Sequence, residues 1–363
     1  MTERILDIRN LSVSFDTAQG TVRALRNVNF HIDRGEILGL VGESGSGKSV
    51  SMLACLGLLA KNGRIDTGSI LFDGQELSPV GLNTRSEKRG HEAMLRDIRG
   101  NRIGMIFQDP MTYMNPVLTV GTQLTEGIVA HRHCSGQEAR QKAAALLKKV
   151  GIPNPEHRMR QYPYEFSGGQ RQRMIIASAL ACEPQLLIAD EPTTALDVTV
   201  QAQILNLIRT LAKENGTSVI MITHDLGVVA SLCDRIVVLY GGKVCETGTA
   251  DEIFYETKHP YTRGLLNSIS RRRTGPDGTF TRDTLASIPG TPPDLLRINS
   301  GCPFASRCEA AMKICRDYLP AVSGFSLCHT ASCWLYCRDR AQELVEKQDR
   351  ARTREPAATP DGE

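Results

Sequence analysis

Apolar and polar positions change rhythm several times along the chain. Residues 4–33, with "ILDIRNLSVSF" and "VRALRNVNFHI", alternate, which predicts antiparallel strands with one buried face. "GEILGLVG" (35–42) is a continuous apolar run and predicts a buried strand, and "KSVSMLACLGLL" (48–59) predicts a helix. "GSILFDGQEL" (68–77) reads as a strand pair around an Asp-Gly turn, and "NRIGMIFQDP" (101–110) as a strand ending in a glutamine. From about residue 118 to 180 the pattern is helical, most clearly in "QEARQKAAALLKKVGI", which Gly151 and Pro153 stop. "PQLLIADEP" and "TSVIMITHD" are apolar runs ending in acids or histidine, as buried parallel strands do. "DRIVVLYGGKVCETG" reads as a hairpin with a Gly-Gly turn. Past about residue 258 this rhythm is lost, and Pro, Arg and Gly become frequent. The expected class is α/β, with one large domain over 1–258 whose helical part spans about 110–180. An extension follows at 259–340, and the polar segment 341–363 is expected to be disordered.

Composition changes this picture little. The 363 residues suffice for a large core, and 43 basic against 40 acidic residues leave a net charge of +3. That balance gives no electrostatic case for a nucleic-acid partner. The N-terminal "MTERILDIRNLSVSF" lacks the pattern of a secretory signal, and no apolar run reaches the roughly 18 residues of a membrane span. A cytosolic chain is expected.

The first chemistry is at "GESGSGKS" (42–49), a G-x-x-x-x-G-K-[ST] loop between a predicted strand and a predicted helix. Gly42, Gly45 and Gly47 let the backbone wrap round an anion, so that the amides of Glu43, Ser44 and Ser46 and the helix N-terminus face phosphate. Lys48 is placed to reach the β- and γ-phosphates, and the Ser49 hydroxyl to ligate Mg²⁺. "LLIADE" (186–191) delivers Asp190 from a buried strand to the same metal, with Glu191 next to polarise a water in line with the γ-phosphate. Together the two motifs define a P-loop nucleoside triphosphatase.

Further stretches carry a family resemblance. "YPYEFSGGQRQR" (162–173) resembles the signature sequence of ATP-binding cassette (ABC) proteins, with Phe166 where the family usually has Leu. "IFQDP" resembles the Q-loop, "TTALDV" the D-loop and "MITHD" the switch histidine, all in family order. The resemblance implies an ABC cassette: a RecA-like parallel-sheet core, an antiparallel β subdomain and a helical subdomain. It implies that Ser167, Gly168, Gly169 and Gln170 contact the nucleotide on a partner cassette's P-loop. Gln108 would sense Mg²⁺ and the attacking water, Asp197 would serve the D-loop and His224 would contact the γ-phosphate. Phe15 would stack on adenine, a role that competes with a core position.

"QDPMTYMNPVLTVG", the run through "ADEPTTALDVTVQAQI" and "HPYTRGLL" (259–266) look like the ATPases of bacterial dipeptide and oligopeptide importers. Such a subunit hydrolyses ATP at the cytoplasmic face of the inner membrane. It pairs with a second, often distinct, cassette and drives two transmembrane permease subunits fed by an extracytoplasmic binding protein. The same machinery serves other small cargo, such as nickel chelates or glutathione-like peptides, which a cassette does not select. A non-transport ABC ATPase is the alternative class.

Six of the cysteines crowd the tail, in "GCPFASRCEAAMKIC" and "LCHTASCWLYC". A reducing compartment disfavours disulfides. The spacing C-x5-C-x6-C has no C-x2–4-C zinc knuckle and matches no common ferredoxin pattern, so zinc, an iron–sulfur cluster and unliganded thiols all stay open. The importer resemblance implies a [4Fe–4S] cluster on Cys302, Cys308, Cys315 and Cys333, the last lying four residues after His329, with Cys328 and Cys337 in excess.

Overall fold

A computed structural model describes residues 3–108, 113–194, 196–268, 272–274, 280–282, 288–297 and 300–337. The expected disordered tail at 341–363 and the start of the helical part at 110 lie outside these residues. Two sheets organise the chain. The smaller has the order β2-β1-β4-β5, from β1 (Arg4–Thr17), β2 (Gly20–Asp33), β4 (Gly63–Phe72) and β5 (Gln75–Glu76). Its strands are antiparallel, as the alternation predicts, but the alternation slips. Register shifts fall between Ile8 and Leu11, and Asn10 and Asn27 adopt φ of 51° and 54°. These are bulges, where an extra residue breaks the period of two.

The larger sheet contains β3 (Ile37–Val41), β6 (Ile103–Ile106), β7 (Leu186–Asp190), β8 (Ser218–Thr223), β9 (Arg235–Tyr240) and β10 (Lys243–Thr249). Two short strands of the extension, β11 (Val322–Gly324) and β12 (Thr330–Ser332), complete the order β11-β12-β10-β9-β3-β8-β7-β6. The five strands from β9 to β6 are parallel, and every residue of β3, β6, β7, β8 and β9 is buried. Alternate residues feed opposite cores. Leu186 and Ile188 face the β1–β2 side with α1 (Lys48–Cys55), whereas Leu187 and Ala189 face the helical side. Each fully buried aliphatic side chain of this kind stabilises by about 1.5–3 kcal/mol.

The helical side includes α3 (Val120–Arg132), α4 (Gly136–Lys149), α5 (Gly168–Leu180), α6 (Val198–Asn215) and α7 (Leu226–Leu232). Helix α4 opens on a Ser135/Glu138 capping box and stops at Val150, before Gly151 at φ 80°. Several helices escaped the sequence reading, among them α6 and α7. Another is α2 (Arg85–Ile98), announced by a Thr84/Glu87 capping box but burying only Leu95 and Ile98.

The extension departs from expectation. The sequence suggests that β/α rhythm ends near residue 258. Instead β12 pairs with β10 through Glu246↔Ala331 and Thr247↔Thr330 and prolongs the central sheet, after α8 (Ala250–Tyr255) and α9 (Pro260–Asn267). A buried pair pins it there. His329 Nε2 lies 2.8 Å from Glu246 Oε1, and the fully buried Glu246 carboxylate also accepts the backbone N–H groups of Lys258 and His259.

Candidate nucleotide site

The loop 42–49 leaves the C-terminal end of β3 and enters α1. Glycine is obligatory at two of its positions. At Gly42, φ is 153° and a Cβ would meet Leu239 O at 2.2 Å; at Gly47, φ is 104° and a Cβ would meet Leu25 Cδ2 at 2.5 Å. Lys48 is buried, and its ammonium donates to the carbonyls of Gly42 at 2.7 Å and Glu43 at 2.9 Å. Burial moves this ammonium down from its ordinary range, while the acids of Glu191, Asp190 and Glu43 oppose the shift. The buried Ser46 hydroxyl has no hydrogen-bond partner among the described residues.

Strand β7 brings two acids to the same end of the sheet. Burial raises the Asp190 carboxyl above its usual value, aided by the Glu191 charge and opposed by a Ser49 hydrogen bond and Lys48. Its Oδ1 is buried without a partner, an arrangement that costs free energy unless a cation supplies one. Ser49 beside this carboxylate makes a donor set that suits Mg²⁺.

Glu191 differs from its neighbour. It sits at φ 47°, a left-handed conformation costing on the order of 1–2 kcal/mol for a non-glycine residue. Its N–H donates to Ile222 O at 2.9 Å, which ties the turn to β8. Three side chains converge on its carboxylate, Thr194 from the same turn and Gln108 and His224 from the ends of two other strands. The Gln108 amide donates at 3.2 Å, the Thr194 hydroxyl at 3.0 Å, and His224 Nδ1 lies at 3.1 Å. Burial pushes the Glu191 carboxyl up, but hydrogen bonds from His224 and Thr194, with the charges of His224 and Lys48, outweigh it and hold the pKa down. Gln108 and His224 are themselves exposed, at the ends of β6 and β8, so the sheet's C-terminal edge presents the group outward.

The remaining expected residues occupy separate places. Ser167 caps α5 and forms a capping box with Gln170; among the described residues neither bonds the P-loop or the β7 acids. Behind them Gln172, absent from the sequence reading, is buried and donates to Pro192 O at 2.5 Å, joining the signature helix to the turn after Glu191. Asp197 is exposed and caps α6 through Val200 N–H at 2.9 Å. Phe15 is half-buried on β1, packs on the β-sheet core and lies against Gly63, whose Cβ would meet its ring at 2.5 Å. A cavity of about 860 Å³ lies in the helical part between Thr119 and Arg160 and includes none of these residues.

The tail thiols form a neighbourhood and not a closed cage. Cys302 is within electrostatic reach of Cys315, Cys333 and Cys308, and burial with these neighbours pushes its thiol up to about 12. Cys333, next to Cys308 and Cys315, is pushed up to about 11, again mainly by burial. Cys245 on β10 joins Cys302 and Cys333, which spacing in the sequence did not suggest. Cys328 is exposed on the turn before β12, and Cys337 is taken up by Ser323 and Ala321. Among the described residues no three His, Cys, Asp or Glu side chains gather closely enough to hold a metal ion. The all-thiol donor set suits a soft metal in kind, while its spacing is more open than ligation requires.

The fold and this edge define an ABC-type ATPase cassette. The ABC transporter family profile matches residues 25–194, and that of the oligopeptide/dipeptide transporter C-terminal region matches 245–315. The oligopeptide transport ATP-binding protein OppD of Bacillus subtilis is 48% identical over 98% of this chain and 96% of its own length. The dipeptide transport ATP-binding protein DppD of the same organism is 48% identical over 96% and 99%, and OppD of Escherichia coli 49% identical over 88% and 89%. Among solved structures, the dimeric ATP-binding cassette MJ0796 bound to ADP and Pi superposes with a TM-score of 0.57 at 29% identity, covering 68% of this chain and 98% of that one. CbiO1 of Clostridium perfringens, part of the transporter complex CbiONQ, gives 0.58 at 31% identity over 70% and 92%. The chain belongs to the family of ABC-type ATP-binding proteins of oligopeptide and dipeptide transporters. Among the described residues no helix is long and apolar enough to cross a membrane.

Proposed function

We propose that this chain hydrolyses ATP to power the import of di- and oligopeptides, as a peripheral subunit at the cytoplasmic face of the inner membrane. The observation that carries the reading is the convergence of Gln108, Thr194 and His224 on Glu191, beside a P-loop lysine and a buried acid with an unpartnered oxygen. Residues 1–258 then form the nucleotide-binding part and 259–340 the extension. Loop 42–49 cradles the phosphates and Phe15 stacks on adenine. Ser49, Asp190 and Gln108 would hold Mg²⁺, which neutralises phosphate charge as the reaction proceeds. Glu191 accepts the proton of a water whose oxygen attacks the γ-phosphorus while the bond to the β-phosphate oxygen breaks, releasing ADP and phosphate. His224 orients Glu191 and meets the γ-phosphate. Ser167, Gly168, Gly169 and Gln170, with Asp197, serve the site on a second, homologous cassette. Closure of that pair drives two permease subunits supplied by an extracytoplasmic binding protein. Assembly tests this directly: the chain is expected to co-purify with permease subunits and to hydrolyse ATP faster when the binding protein carries peptide. A monomer whose turnover ignores both would oppose the reading.

The hydrogen bonds that lower the Glu191 carboxyl make a second test. In a carbon-detected NMR titration it is expected to protonate below the ordinary glutamate midpoint of about 4.3, and His224→Ala should move that midpoint upward. An unchanged midpoint would mean that His224 does not act on Glu191.

For the tail, we infer a [4Fe–4S] cluster of structural role on Cys302, Cys308, Cys315 and Cys333, supported by their all-thiol chemistry, their electrostatic reach of one another and the exposure of Cys328; binding it would require the open arrangement to draw together. Protein purified without oxygen should carry about four iron and four sulfide per chain, and Cys328→Ser should leave both unchanged. Stoichiometric zinc, or no metal, would rule the cluster out.

A further inference from the structure

Glu43, the second residue of the phosphate loop, is held from outside the cassette core. Its N–H donates to the Tyr261 hydroxyl on α9 at 2.8 Å, so this amide faces the extension and not the phosphate, against the expectation from the loop's sequence. Its carboxylate is gripped by Arg307, whose Nη1 and Nη2 reach the two oxygens at 2.6 and 3.0 Å. Arg307 lies between Phe304 and Cys308, inside the thiol-bearing segment and 264 residues from Glu43. Its side chain is only 5% exposed. All five of its N–H bonds are used: two on Glu43, one on the Tyr240 hydroxyl at 3.0 Å, one on Pro289 O at 2.8 Å and one on Ile288 O at 3.2 Å. The guanidinium also stacks near the Tyr240 and Phe304 rings, which pack against Tyr261. The Glu43 carbonyl in turn accepts from Lys48 Nζ, so any shift of Glu43 reaches the lysine of the P-loop through one bond.

A surface ion pair would not justify so much structure, and a buried one stabilises weakly unless geometry is satisfied throughout. Fork-to-fork geometry of this quality fixes orientation as well as charge. It also cancels a negative charge carried by the loop that must receive a polyanion.

We propose that Arg307 is a positioning residue of the nucleotide site: it fixes Glu43, neutralises it, and makes ATP affinity depend on how the extension's segment 302–315 is seated. This rests on the reading that loop 42–49 binds ATP. The extension is then part of the nucleotide site's scaffold. Any event that unseats the segment, including loss of a ligand from its thiols, weakens nucleotide binding before it changes the chemistry at Glu191.

The test titrates a fluorescent ATP analogue with Mg²⁺ into the full chain and its variants. Arg307→Ala leaves Glu43 charged and unpaired beside the phosphates, and its Kd is expected to rise about tenfold. The double variant R307A/E43Q removes the stranded charge and should recover most of that loss. Tyr261→Phe, which frees the Glu43 N–H, should weaken binding by about threefold. In the assembled transporter Arg307→Ala should raise KM for ATP with kcat within about twofold, since Glu191 is untouched. A purely structural Arg307 would leave R307A/E43Q as weak as Arg307→Ala, and that result would overturn the proposal. Should Arg307→Ala fail to fold, wild-type affinity in Tyr261→Phe would overturn it equally. Wild-type protein that binds no analogue would instead remove the ATP reading beneath it.

Discussion

Glu191→Gln is expected to slow ATP hydrolysis by about 10²- to 10⁴-fold while nucleotide still binds. Glutamine keeps the shape of the side chain and can still meet Gln108, Thr194 and His224, whose contacts with Glu191 run from 3.0 to 3.2 Å. What it loses is a basic oxygen for the water proton. The change also removes a negative charge close to Lys48, so affinity for ATP should stay level or increase. With binding intact and hydrolysis blocked, ATP should hold paired cassettes closed. Single-turnover hydrolysis and size measurement with ATP read the two effects separately. Full turnover in Glu191→Gln would exclude Glu191 as the base.

Lys48→Met should act on the other arm. Among the described residues the buried Lys48 ammonium makes two bonds, both to carbonyls of its own loop, and methionine matches its length without charge. Replacing those carbonyls with phosphate oxygens gives charge-assisted bonds worth about 1.5–3 kcal/mol each. Nucleotide affinity should therefore fall by on the order of 10²-fold or more, with hydrolysis lost alongside it. The fold should survive, because the ammonium is desolvated at a cost that methionine does not incur. Affinity within threefold of wild type, with an unchanged thermal midpoint, would show that Lys48 does not touch the phosphates.

Much of the cassette was legible because its signals are local. The 42–49 loop lies within eight consecutive residues, and its strand-to-helix setting follows from "GEILGLVG" and the helix beginning at Lys48. Strands β7, β8 and β9 are continuous apolar runs because they are buried on both faces. The contacts that make the site are not local. Gln108 and Glu191 are 83 residues apart, and His224 and Glu191 are 33 apart, so spacing named them without showing that they meet. The extension was harder still. Strands β11 and β12 are three residues each, "VSG" and "TAS", too short and polar for any period to register. Their place comes from pairing with β10 and from the His329–Glu246 pair, neither visible in one dimension. Arg307 lies one residue before Cys308, and its partner Glu43 is 264 residues away, so no local pattern marks the pair. By contrast, the Thr84/Glu87 capping box was a readable helix start in a stretch with little apolar content.

The most direct measurement is uptake of a labelled peptide by proteoliposomes that carry the assembled transporter, with ATP supplied to the cassettes and peptide-loaded binding protein on the opposite face. Uptake is expected with ATP and the wild-type chain, and should fall to background with Glu191→Gln or a non-hydrolysable analogue. Uptake that persists in Glu191→Gln, or brisk ATP hydrolysis with no peptide moved, would contradict a chain that powers import by hydrolysing ATP at this site.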